Sequence, residues 1–167
     1  MPAARRAVRV SRNGRIGVIC TTATAQSRSY DDALAAVPDV ELFTSACPLF
    51  VDFVEAGVTG GSDLEAIAHD YLEPLRLAGI DTLILGCTHY PLLTGVINYV
   101  LGDSVTLVSS ADECAKSTWT TLNELGLLHH APRVATREFL TTGNPERFQG
   151  IGSRLMGGFV SEVGAVW

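Results

Sequence analysis

Apolar and polar positions alternate along this chain in blocks rather than residue by residue. Ile16 to Cys20 is a short, nearly continuous apolar run, as are Val40 to Ala46, Thr82 to Leu85 and Val105 to Val108. Runs of that length, bounded by glycine, proline and charged residues, predict strands buried on both faces, as in a parallel sheet. Between them the spacing shifts to the helical period. The stretch from about Ala25 to Val37 predicts a helix stopped by Pro38, and Leu49 to Glu55 a shorter one ended by Gly57. Leu64, Ile67, Ala68, Tyr71, Leu72 and Leu75 define one buried helix face. Ser62 and Glu65 predict a capping box for that helix, Pro74 a bend and Gly79 its end. Leu92, Leu93, Val96, Ile97, Val100 and Leu101 form the next apolar face, and Ser110 with Glu113 predicts the start of a helix reaching Leu125. A loop over 129–136, a weak strand at Phe139 and Leu140, a Gly143-Asn144-Pro145 turn and a final helical region complete the pattern. Strand and helix alternate throughout, so the expected fold class is α/β, a mostly parallel sheet flanked by helices.

Composition narrows the class of function. With 167 residues the chain has the length of one ordinary domain or two small halves. Hydrophobic residues make up 47% and charged residues 18%, with a mean hydropathy of +0.24, which excludes a charge-driven disordered chain. The sequence has no long uncharged apolar stretch and no signal-peptide core, so the expectation is a cytoplasmic protein with no membrane partner. A formal net charge of −6 argues against nucleic acid as a partner, because such binding depends on neutralising phosphates. A small-molecule substrate is the expected ligand. Five of the eleven arginines fall within the first fifteen residues without a single acid among them. A transit peptide or a phosphate-binding arm would look this way, but residues 1–14 read more simply as a basic helix end or linker. Cys20, Cys47, Cys87 and Cys114 are widely spaced and form no C-x-x-C pair, so neither a zinc ribbon nor a disulfide scaffold is signalled.

In parallel α/β sheets, sites form outside the carboxyl ends of the strands. The third strand ends in Gly86-Cys87-Thr88-His89-Tyr90-Pro91, and each residue there suits a reactive thiol. Gly86 allows a sharp turn and close approach of a ligand. Cys87 precedes the amino end of the next helix, where free amides favour a thiolate. Thr88 supplies a hydroxyl and an amide for an anion, and His89 can carry a proton near neutral pH. Each residue alone has an ordinary packing explanation; together at one strand end they point to chemistry. Cys114, inside a helix, reads as a packing residue.

The run Leu85-Gly86-Cys87-Thr88-His89-Tyr90-Pro91-Leu92-Leu93 resembles the second cysteine signature of the glutamate racemases, members of the aspartate/glutamate racemase superfamily. The likeness continues through Gly17-Val18-Ile19 with Thr21 and Thr24, Ala46-Cys47-Pro48 with Phe50, Val51 and Glu55, Leu107 to Ala111, and Thr141-Thr142-Gly143-Asn144-Pro145. The resemblance implies cofactor-independent interconversion of L- and D-glutamate, supplying D-glutamate for peptidoglycan, with two thiols on opposite sides of the substrate Cα. It implies Cys87 as one catalytic thiol, His89 as its proton-transfer partner, Thr88 as a holder of the α-carboxylate, and Glu55 as a group orienting His89 or the substrate amino group. The family's Asp-Ser-Gly strand end, its Pro-Tyr-Gly segment and its other cysteine motif are absent from these residues. The expected organisation is therefore a complete racemase-like domain over 15–109 and a returning segment over 110–167 that would complete a first domain. Such a chain is expected to turn over glutamate very poorly alone. Strand edges near Val105 to Val108 and Phe139 to Thr141 would favour a homodimer. A single-cysteine decarboxylase or isomerase of the same superfamily, and a non-catalytic interaction module, are the alternatives.

Overall fold

A computed structural model describes residues 1–129 and 134–166. The chain divides into two compact units, Met1–Leu127 and Leu128–Trp167. In the first unit the elements run α1 (Pro2–Val10), β1 (Arg15–Cys20), α2 (Thr22–Ser27), α3 (Ser29–Leu34), β2 (Glu41–Ala46), α4 (Leu49–Ala56), α5 (Ser62–Leu77) and β3 (Thr82–Leu85). A single 3-10 turn (Tyr90–Leu93), α6 (Thr94–Leu101), β4 (Thr106–Ser109) and α7 (Ser110–Glu124) follow. The strands form one wholly parallel sheet in the order β2-β1-β3-β4, with Ile19 opposite Leu85 and Leu85 opposite Ser109.

Alternation along β1 and β3 divides the core between the two faces of this sheet. Ile19, Leu83 and Leu85 join Phe50, Val54, Leu64, Leu72 and Ile97 from α4, α5 and α6. Ile16, Val18, Cys20 and Ile84 face the other way and meet Ala3 and Ala7 of α1 and Tyr30 of α3. Three layers result, and burial of each large aliphatic side chain contributes about 1.5–3 kcal/mol. Residues 2–10 are thus a helix whose alanine stripe is buried while its arginines stay in solvent. The turn after it is fixed by Asp81, which accepts hydrogen bonds from Ser11 Oγ (2.7 Å), Arg12 N–H (2.6 Å), Asn13 N–H (2.7 Å) and Thr82 Oγ1 (2.8 Å). Burial pushes the Asp81 carboxyl up, but these bonds together outweigh it and hold its pKa below the ordinary carboxylate value.

Several local expectations give way to competing geometry. The single helix expected from 25 to 37 is two short ones, because Arg28 takes a left-handed conformation (φ 53°) between them and Thr21 caps the first by accepting from Thr24 N–H. The capping box at Ser62 and Glu65 does not form: Ser62 is already helical, the cap is Gly61 at φ 106°, and Ser62 Oγ turns to Asp63. The cap of α7 falls one residue earlier than expected, at Ser109, whose hydroxyl accepts from Asp112 N–H. Glu113 pairs with Lys116 instead.

In the second unit, β5 (Phe139–Thr141) pairs in parallel with β6 (Val163–Ala165), and α8 (Pro145–Met156) with a short 3-10 turn (Gly157–Phe159) lies between them in sequence. The weak strand at Phe139 is therefore present, while β6 lies where a helical tail is expected. Asn144 caps α8 by accepting from Arg147 N–H at 2.7 Å. The loop expected over 129–136 lies partly outside the described residues. No helix among the described residues is long and apolar enough to cross a membrane.

Candidate active site

The carboxyl end of β3 builds the site. Gly86 N–H donates to Ile19 O at 2.8 Å, and a Cβ at this position would lie 2.9 Å from that same oxygen. Glycine is required here because β1 passes so close, not because of a sharp turn: its φ is not positive. Cys87 follows, its carbonyl accepting from Tyr90 N–H at 3.3 Å, so residues 87–90 close into a tight turn. The α-helix expected to begin beside Cys87 starts instead at Thr94, with the 3-10 turn intervening. Close contacts rather than a helix end therefore set the surroundings of the thiol.

Those contacts are specific. Cys87 Sγ lies 3.7 Å from His89 Nδ1, and His89 Nε2 lies 3.5 Å from Glu55 Oε1 in the last turn of α4. A carboxylate facing Nε2 favours the tautomer that carries its proton there, which leaves the Nδ1 lone pair directed at the thiol. The His89 and Glu55 side chains are about a quarter exposed, at 28% and 27%, so the pair is shielded yet reachable from solvent. Thr88 is exposed and lines a hollow of about 670 Å³ together with Ser110, Cys114, Trp119 and Leu122. The structure thus joins Cys87, His89 and Glu55 into one line and sets Thr88 beside them on the wall of that hollow.

The turn is anchored from below by Tyr90, which is fully buried and donates its hydroxyl to Cys47 O at 2.9 Å. Its ring meets Phe50 edge to face with centroids 5.5 Å apart, and Phe50 meets Tyr71 in the same way at 5.3 Å. Such pairs contribute about 0.5–1.5 kcal/mol each beyond burial. In the sequence Tyr90 is one letter of a motif, and the signal for its anchoring role is an aromatic with a polar tip beside a turn.

The remaining thiols differ from Cys87. Burial pushes the Cys47 thiol up to about 12, partly opposed by its hydrogen bond with Ser45. Burial raises Cys20 as well, and the neighbouring Cys87 and Asp31 raise it further. Both stay protonated near neutral pH. Cys114, expected as a packing residue, is exposed on α7, because the face of that helix bearing Ala111, Ala115 and Trp119 is not covered. Among the described residues no cluster of His, Cys, Asp or Glu is placed to hold a metal ion.

At the carboxyl end of the parallel sheet the Cys87 thiol, the His89 imidazole and the Glu55 carboxylate from α4 lie in contact. The sequence profile of the Asp/Glu/Hydantoin racemase family matches residues 1–118, and the chain belongs to that family. It is 56% identical over 159 residues to the glutamate racemase of Mycobacterium ulcerans, covering 94% of this chain and 58% of the relative. A crystal structure of a glutamate racemase isoform from Bacillus anthracis superposes with a TM-score of 0.86 at 36% identity, covering 99% of this chain and 61% of that one. The glutamate racemase of Francisella tularensis in complex with D-glutamate matches with a TM-score of 0.84 at 28% identity, over 99% of this chain and 60% of the other. The chain therefore spans about three fifths of the length of these relatives.

Proposed function

We propose that this chain is the Cys87-bearing part of a cofactor-independent glutamate racemase, acting in the cytoplasm to supply D-glutamate for peptidoglycan. The observation that carries the reading is the line Cys87–His89–Glu55, with contacts of 3.7 and 3.5 Å, at the carboxyl end of β3. Racemisation needs a base on one face of the substrate Cα and an acid on the other. As thiolate, Cys87 takes the Cα proton and becomes a thiol; in the opposite direction its thiol returns a proton to the carbanion. His89 holds the proton exchanged with Sγ, and Glu55 fixes the imidazole and balances its charge. The α-carboxylate falls to Thr88, whose exposed hydroxyl and amide suit an anion.

The opposing thiol comes, on this reading, from the portion that the longer relatives have beyond the matched segment. Cys20 and Cys47 are sealed in the core and cannot meet a substrate. Residues 15–109 would form the domain that presents Cys87 and residues 110–167 the segment that completes the other domain. The open face of α7, with Trp119 61% exposed, supports a covering partner, either that portion or a second copy in a homodimer.

The test compares two polypeptides by circular dichroism of L-glutamate. The 167-residue chain alone shows no turnover above buffer. Spliced to the portion of the Mycobacterium ulcerans relative that lies outside the match, it racemises glutamate. Full turnover by the chain alone, or none by a folded splice, would overturn the proposal.

A further inference from the structure

The acid–base relay reaches Cys87 from the α4 face of the sheet, and a different buried side chain reaches the same strand end from the opposite face. Tyr30, only 6% exposed, is the second residue of α3 and is turned inward by the left-handed Arg28 that separates α2 from α3. In the sheet register Ile19 lies opposite Leu85 and Leu85 opposite Ser109, so Cys20, the last residue of β1, is level with Gly86 just past β3 and Ser110 at the start of α7. The Tyr30 hydroxyl lies among all three. A Cβ on Gly86 would sit 3.1 Å from Tyr30 Oη and 3.2 Å from Cys20 Cβ, and Ser110 is an electrostatic neighbour of the hydroxyl. The absence of a side chain at Gly86 is thus what admits the hydroxyl beneath the residue that precedes Cys87.

We propose that Tyr30 is a positioning residue for Cys87: its hydroxyl, wedged under Gly86 beside Cys20, holds the ends of β1 and β3 in the one arrangement that points the thiol at His89. The proposal rests on the reading of Cys87 and His89 as an acid–base pair. Tyr30 touches no substrate; it acts through the backbone of Gly86. Removing the hydroxyl leaves the ring packed among Cys20, Ile84 and Val108, so Tyr30→Phe keeps the core intact.

The experiment measures iodoacetamide alkylation of Cys87 near neutral pH in the whole chain, resolved by peptide mass spectrometry, with exposed Cys114 as the internal standard. In the wild type Cys87 reacts faster than Cys114, and His89→Ala removes that advantage. Tyr30→Phe slows Cys87 roughly threefold to tenfold, a coupling of the size found between groups in contact, and leaves Cys114 unchanged. Tyr30→Phe has no added effect in the His89→Ala background. An unchanged Cys87 rate in Tyr30→Phe, where His89→Ala does slow it, overturns this proposal alone, as does an equal further loss in the His89→Ala background. No effect of His89→Ala at all overturns the acid–base reading itself.

Discussion

Tyr90→Phe isolates the anchor beneath the turn that carries Cys87. The substitution removes one hydroxyl, donated to Cys47 O at 2.9 Å, and leaves the ring against Phe50. A buried carbonyl deprived of its sole donor costs about 1–3 kcal/mol. Cys47 O, however, also accepts from Phe50 N–H at 3.2 Å, so it keeps a partner. The loss is therefore the net value of one neutral hydrogen bond, about 1 kcal/mol. At about 2–4 °C per kcal/mol for a chain of this length, Tm falls by a few degrees. Tyr90→Ala adds an emptied ring site, which costs about 3–5 kcal/mol on its own and brings a protein of ordinary stability close to unfolding. Urea unfolding followed by circular dichroism measures both. A Tyr90→Phe loss above about 3 kcal/mol would refute the claim that Cys47 O retains a donor, and one near zero would refute the anchoring bond.

Other substitutions test the remaining parts of the account. Gly86→Ala forces a Cβ to within 2.9 Å of Ile19 O and should cost about 1–3 kcal/mol in the same unfolding assay. Asp81 has a folded pKa below its unfolded one, so its contribution is present above the ordinary carboxylate range and lost as pH falls through the folded value. Asp81→Asn should therefore destabilise by about 2–3 kcal/mol at pH 7 and flatten the acid limb of the stability profile, measured by urea midpoints against pH. With its thiol pushed up to about 12, Cys47 should remain unmodified by iodoacetamide at pH 8 in the folded chain, while Cys87 and Cys114 react.

What the sequence disclosed follows the range of the interactions involved. Apolar runs and helical faces report burial directly, so β1, β3, α5 and the parallel sheet were visible at once. The candidate cluster at Cys87, Thr88 and His89 is legible because its residues are contiguous, whereas Glu55, 34 positions from His89, is reached through resemblance alone. Contacts that join distant segments left no local trace. Tyr90 to Cys47, Asp81 to the turn after α1, and Tyr30 to Gly86 each depend on the sheet register bringing strand ends together. The failed capping box at Ser62 shows the converse: a good local signal yields when Gly61 can adopt a positive φ and start the helix one residue earlier. The three-residue β6 escaped because a Val-Gly-Ala strand has almost no pattern to read.

On the proposed reading Cys87 moves the Cα proton, a step the spliced enzyme exposes to measurement. Cys87→Ala in that background, confirmed as folded by circular dichroism, should lower kcat for both L- and D-glutamate by at least about a thousandfold, the scale expected when a proton-transferring group is removed. Turnover of either enantiomer within about tenfold of the unsubstituted splice would contradict the account.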